Sequence, residues 1–324
     1  MQKKLNMENN ISSQSDDTGK GEVVIIEKDE ILSKKYFLKN KMIGISISES
    51  DNLNELGYGT SHLKDTMIEV AKYILASGGG MAYGGDMRIG GFTELMFDLL
   101  AYYKADKSLS PHERFYSYLA YPLSTTLSPA KEAELNQIVS FKKVAPPEDI
   151  DIVNTKDFLK PDSPENLYIW ARCLTKMREE MESVCYARVF IGGRTKGFKG
   201  KCPGILEELL IALQHRHPVY LVGAFGGITR NAINALQGNH SDVFFNDYYT
   251  QNPEYREMFE IYNDRQSNTA IDYSTYYSIL KGIGLIGISD FNGLTVEENL
   301  RLALTPHISE IVFLILKGLT NCLA

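Results

Sequence analysis

Two adjacent carboxylates, Glu207 and Glu208, follow a glycine-rich run that reads VFIGGRTKGFKGKCPG over residues 189–204. The run joins an apolar strand to an amphipathic helix. Gly192 and Gly193 let the backbone approach a ligand closely, and a helix starting near Pro203 and Gly204 aims its unpaired N–H groups at the same space. Phosphate is the group such a construction binds. Glu207 and Glu208 fall in the first helical turn, where the helix dipole favours a carboxylate, and either is placed to act on a ribose or on the bond joining ribose to base.

The same strand, glycine loop and helix recur twice. Residues 81–103 (MAYGGDMRIGGFTELMFDLLAYY) pass through Gly84, Gly85, Asp86, Arg88, Gly90 and Gly91 into a helix beginning near Thr93. Residues 219–236 (VYLVGAFGGITRNAINAL) pass through Gly223, Gly226 and Gly227 into a helix carrying Arg230. A further strand, Met42 to Ile47, ends in the polar positions Ser46, Ser48, Glu49 and Ser50. Strands alternating with helices predict a Rossmann-like α/β fold: a parallel sheet with helices on both faces, and ligand beyond the carboxyl ends of the strands. Ser46, Ser48, Gly84, Gly85, Asp86, Arg88, Gly90, Gly91, Thr93, Gly192, Gly193, Arg194, Gly204, Glu207, Gly226 and Gly227 are the candidate ligand contacts. Asp86 suits ribose hydroxyls or the bracing of its own turn, and Thr93 suits a phosphate or the helix N-terminus.

Helical periodicity supplies the scaffold. His62 to Ala76 places Leu63, Met67, Val70 and Ile74 on one face, and Leu167 to Val184 does the same with Leu167, Trp170, Leu174, Met177, Met181 and Val184. On the second helix Arg178 lies at the flank of the apolar stripe, able to reach the sheet edge or to pair with Glu182. Arg172 lies nearly opposite the stripe and joins the ligand candidates if the helix starts late. Between these helices FYSYLAYPL reads as a core strand, Pro129 to Ile138 as a helical excursion, and Val139 to Val144 as another strand. Tyr116, Tyr118 and Tyr121 fit a packed strand better than a base-stacking platform.

The chain has 324 residues, 44% hydrophobic, enough for a sizeable core, and a net charge of −7, which disfavours nucleic acid and anionic membranes as partners. A local basic cluster, Arg194, Lys196, Lys199 and Lys201, remains as a solvated or phosphate-facing loop. The cysteines at 173, 185, 202 and 322 have no CxxC spacing, and the histidines no HxxH spacing, so neither a metal nor a cofactor is called for. Residues 1–35 read as a disordered or weakly ordered tail without a signal peptide, although VVIIE from Val23 has the composition of an edge strand. No stretch reaches the roughly 18 apolar residues of a membrane span. A cytoplasmic protein is the expectation. Residues 36–324 then form one nucleotide-binding domain, with an insertion at about 105–165 and a helical C-terminal extension at 239–324 that includes a helix N-cap at Thr295.

The serine-ended first strand, ASGGGMAYGG, TKMREEM and PGILEEL together resemble the SLOG superfamily over about Lys41 to Leu236. Its best-known branches are the LOG phosphoribohydrolases and the DprA-type DNA-processing proteins. The resemblance implies that Glu208 is the counterpart of the catalytic glutamate of a PGGxGTxxE loop, and that Arg178, three residues before Met181, is the nearest counterpart of the catalytic arginine. The chain departs from that pattern by inserting RTKGFKGKCP between Gly193 and Gly204 and by placing Ile205 where the threonine hydroxyl would meet phosphate. GGDMRIGGFTELMFDLL and NGLTVEENLRLALT look more like the SLOG branches of bacterial conflict systems, associated with TIR effectors, which are thought to sense NAD-derived nucleotides. A homo-oligomer and a separate effector chain are implied by the same resemblance.

Two functions follow. In one, the glycine loops and arginines hold an ADP-ribose-like ligand without turnover. In the other, Glu208 and Arg178 form the catalytic pair of an N-glycosidase that cleaves a nucleoside monophosphate or an NAD-type nucleotide.

Overall fold

The computed structural model describes residues 36–85, 90–103, 114–152 and 154–324. The expected tail, the strand at Val23, Asp86, Arg88 and part of the expected insertion lie outside the described residues.

Six strands form one parallel sheet: β1 (Met42–Ser48), β2 (Gly80–Gly84), β3 (Phe115–Ala120), β4 (Ser140–Val144), β5 (Ala187–Gly192) and β6 (Val219–Val222), in the order β4-β3-β2-β1-β5-β6. The described helices are α1 (Thr60–Ala76), α2 (Phe92–Tyr103), α3 (Pro129–Leu135), α4 (Pro164–Glu182), α5 (Gly204–Gln214), α6 (Gly227–Leu236), α7 (Asn246–Thr250), α8 (Pro253–Arg265), α9 (Tyr273–Asn292), α10 (Val296–Leu304) and α11 (Ile308–Leu323). The alternation of strand and helix in the sequence thus becomes the Rossmann-like α/β fold. The strand order reverses direction between β1 and β5, and ligands of open parallel sheets bind beyond the carboxyl ends of the strands near such a reversal.

Strand pleat decides what each face of the sheet carries. Ile43, Ile45 and Ile47 of β1, Val189 and Ile191 of β5, and Tyr220 and Val222 of β6 join one core with α1, α2 and α11. The alternate positions turn to the other face, where Phe190, Val219 and Leu221 pack with α5, α6 and the helices α7 to α9. On that second face β1 presents Gly44 and Ser46 rather than large apolar residues. The space they leave is filled by the side chain of Arg188, register partner of Gly44 across β1 and β5. A Cβ at position 44 would run into Cδ of Arg188.

Capping sets the helix starts. Ser163 accepts from the Asn166 amide with Pro164 at the first helical position, so α4 begins three residues before its first apolar contact. Thr295 and Glu298 form a capping box on α10, as the sequence predicts for an N-cap at Thr295. The C-terminal helices shield the free edge of β6. Tyr220 donates its hydroxyl proton to the Asn292 carbonyl at 3.0 Å, and the Asn292 amide donates to the Val219 carbonyl at 3.0 Å. Among the described residues no single helix is long and apolar enough to cross a membrane; the apolar pair α9 and α10 is bent by 103°.

Candidate functional site

A cavity of about 320 Å³ opens at the carboxyl ends of β1 and β2, beside the reversal of strand order. Its wall is built from Ser48 and Glu49 after β1, Gly84 and Gly85 after β2, Gly90, Gly91 and Thr93 at the start of α2, and Arg194 beyond β5. Thr60 and Lys64 of α1 complete it. Three of the chain's expected loops therefore meet in one place, which is a consequence of parallel strands ending on one edge.

The charge of this cleft is mixed. Arg194 lies 3.7 Å from Glu49, with both side chains nearly half exposed, so the pair is worth little and the guanidinium can exchange Glu49 for an incoming anion. Glu49 is also held at 2.8 Å by the Thr60 hydroxyl. The Gly90 amide donates to the Glu94 carboxylate at 2.5 Å, which places a carboxylate where the α2 N-terminus attracts negative charge. Thr93 is buried at that terminus.

The carboxylates that the sequence marks for catalysis lie elsewhere. Glu207 and Glu208 are 2% and 7% exposed, and Arg178 is 7% exposed. They belong to a chain of buried ions on the second face of the sheet. Arg178 donates to Glu207 and sits 3.5 Å from Glu208 through an Nε that has no hydrogen-bond partner. Glu208 also accepts from the Ser46 hydroxyl at 2.5 Å and from Arg188. Arg188, fully buried, donates to Glu182 at 2.7 Å, and His217 Nδ1 meets the other Glu182 oxygen at 2.6 Å. Glu207 in turn lies 3.7 Å from Lys201 and accepts from Thr175. Burial disfavours the Arg188 charge, yet the Glu208 and Glu182 carboxylates outweigh it and hold the pKa above its ordinary value. The same contest, with Glu207 and Glu208 as the winning partners, raises Arg178.

The inserted loop covers this pair. Gly204 and Gly200 lie against the Arg178 guanidinium, and a Cβ at Gly204 would stand 2.6 Å from Nη2. Arg178 thus finds its partner across the sheet face in Glu207, not along its own helix in Glu182, which Arg188 takes. Neither glutamate borders the cleft at β1 and β2.

The remaining candidates are distributed as follows. Ser46 faces Glu208 and Arg188, away from the cleft. Gly192, Gly193, Gly226 and Gly227 stitch loops together: the Gly193 amide donates to the Ser48 carbonyl at 2.9 Å, the Ile228 amide to the Gly193 carbonyl at 3.0 Å, and the Gly227 amide to Asn52 Oδ1 at 3.1 Å. Arg172 is bound to Asp149 at 2.8 Å and to the Tyr168 hydroxyl, one turn earlier on α4, at 2.9 Å, and so does not reach the cleft. Of the basic cluster, only Arg194 borders the cleft; Lys201 goes to Glu207, and Lys196 and Lys199 face a different cavity. Tyr118 and Tyr121 are buried core residues, and Tyr116 carries the Lys142 ammonium over its ring.

Sequence reasoning missed Arg188, Lys64 and Thr60. The signal for Arg188 was a lone cation inside the apolar strand ARVFIG, which a parallel core tolerates only with buried carboxylates opposite. Lys64 and Thr60 carry no local mark, since any solvated first helical turn looks the same. No group of three or more metal-binding side chains occurs among the described residues.

In comparison with known families, the family model described as SLOG cluster2 matches residues 37–302. No curated protein matches the chain.

Proposed function

The chain belongs to the SLOG cluster2 family, whose membership points to nucleotide-related binding or processing, and from that premise we propose that it binds a nucleotide-derived ligand without cleaving it. The ligand class is an ADP-ribose-like or NAD-derived nucleotide, and the setting is a bacterial defence-type system in which a separate effector chain reads the bound state of a homo-oligomer.

One observation carries this reading. Ser48, Gly84, Gly85, Gly90, Gly91, Thr93 and Arg194 converge on one cleft beside the strand-order reversal, while the Arg178, Glu207 and Glu208 constellation is closed off in a buried ion network. A glutamate that stabilises a glycosidic transition state must touch the ribose. Glu208 instead spends its oxygens on Ser46, Arg188 and Arg178. In the cleft the α2 N-terminus and Arg194 attract phosphate, Lys64 adds a second cation, and Glu49 offers an acceptor for ribose hydroxyls.

Proton NMR time courses with AMP, NAD, ADP-ribose and cyclic ADP-ribose test the proposal. The expected result is broadening or shift of one ligand's ribose H1′ signal with no free base over hours, and a loss of about tenfold or more in affinity in Arg194→Glu, because a charge-assisted contact becomes a repulsion. Appearance of free base that is lost in Glu208→Gln overturns it in favour of an N-glycosidase.

A further inference from the structure

A second cavity, of about 370 Å³, lies between the inserted loop and the start of the C-terminal extension. One wall is the loop segment Lys196 to Gly200; the other is Tyr248 and Tyr249 of α7 with Tyr255 and Met258 of α8. It shares no residue with the cleft at β1 and β2.

Three features make this a built pocket. The aromatic groups are fixed by their neighbours: Tyr249 stacks on Tyr273 at 4.2 Å between ring centroids, and Tyr255 donates to the Lys201 carbonyl at 2.6 Å while bonding the Tyr273 hydroxyl at 2.8 Å. Phe198 projects from the loop against both, 5.5 Å from Tyr249 and 5.4 Å from Tyr255. Its cations remain available, since among the described residues Lys196 and Lys199 have no carboxylate partner; Lys196 stands over the face of Tyr248, 5.6 Å from its centroid. Its one acidic group, Glu254, sits on the wall opposite the lysines.

A cavity with tyrosines in its wall, two unneutralised cations on one side and an acceptor on the other matches one ligand chemistry. The ring system stacks on tyrosine, the anionic group meets Lys196 and Lys199, and Glu254 accepts from sugar hydroxyls or an exocyclic amine. The volume is within the range of about 300–1,000 Å³ typical of small-molecule sites. We infer that this tyrosine pocket is a second site, for a phosphorylated aromatic of nucleoside monophosphate size, independent of the ligand proposed for the cleft. It stands on different residues, so it holds or fails without that reading.

Photolabelling of the full-length protein with 8-azido-AMP, followed by peptide mapping, tests it. The expected result is label within residues 248–258, competed by unlabelled AMP, retained in Arg194→Glu and reduced by about tenfold or more in Lys199→Glu, where a charge-assisted contact is reversed. Lys199 is an exposed loop residue, so that variant keeps the fold, which an unchanged melting temperature checks. Label confined to the peptides of the β1 and β2 cleft overturns this inference and leaves the cleft reading standing. Label confined to residues 248–258 supports this inference and leaves the cleft reading to be decided by its own ligands in the NMR time courses. Absence of competed label from both overturns both for AMP-sized ligands, and label at 248–258 that Lys199→Glu leaves unchanged overturns the charge assignment and with it the proposed chemistry.

Discussion

Replacing Arg188 by leucine removes the cation between Glu182 and Glu208 and leaves both carboxylates in the core. At 2.7 Å and an effective dielectric near 20, the Arg188 to Glu182 attraction alone is about 6 kcal/mol gross. The folded protein has already met the desolvation cost of both ions, so deleting one partner loses the attraction and keeps the penalty of the other. Breaking a buried pair in this way typically costs about 3–5 kcal/mol. For a folded unit of roughly 290 residues the unfolding entropy is about 0.6 kcal/mol/K, so the melting temperature falls by about 5–8 °C. Urea denaturation followed by circular dichroism, with calorimetry in parallel, measures the loss. Adding Glu208→Gln to Arg188→Leu removes one stranded carboxylate and recovers part of the stability, with a coupling energy of about 1–3 kcal/mol in the double-mutant cycle. An Arg188→Leu protein that melts within about 2 °C of the wild type refutes the reasoning, since the stranded carboxylates then cost nothing.

Other consequences are open to direct measurement. Gly204→Ala pushes a methyl to 2.6 Å from Arg178 Nη2 and destabilises by about 1–3 kcal/mol, whereas Gly282→Ala on α9, where nothing lies within 4 Å, is neutral or slightly stabilising; equal effects in urea melts contradict the packing argument. Burial pushes the Cys173 and Cys185 thiols up to about 12 and raises Cys202 as well, so a disulfide reagent at about pH 8 labels no more than the half-buried Cys322 quickly in the native state and all four in denaturant. Glu298, bonded to Lys317 and the Thr295 amide, and Glu310, bonded to Arg301 and Thr305, both titrate below the ordinary carboxylate value of 4.5. Because their folded values are depressed, their contribution is present above about pH 4.5 and lost as pH falls through the folded values, so Glu298→Gln flattens the acid limb of the stability profile; an unchanged limb refutes the assignment.

Much of the scaffold was legible locally. Val219 to Val222 is a four-residue apolar run between turn signals and is a strand with those bounds, and the periodic stretch from Leu167 forms most of α4 (Pro164–Glu182), although its last position, Val184, lies beyond the helix and is exposed. Such patterns are readable because strand pleat and helix pitch act over a few residues. Ser163 and Pro164 explain why α4 starts earlier than its apolar stripe, and the stripe alone does not report that cap.

The sequence by itself determined the parallel α/β architecture, the glycine loops at the strand ends, the Thr295 cap and the marking of Arg178 and Glu208 as unusual. The tertiary structure alone decided what those residues face. Gly44 and Ser46 clear a space on one side of β1 only because β5 is its neighbour, and that neighbour brings Arg188 into the gap to bind Glu208 and Glu182. The loop from Arg194 to Cys202 covers Arg178 on one side and lines a tyrosine pocket on another, which depends on helices more than 40 residues further along the chain. Local periodicity fixes the elements, but ion pairing and cavity shape are set by residues far apart in sequence. Their juxtaposition follows from strand order and from the desolvation that buried charges must compensate.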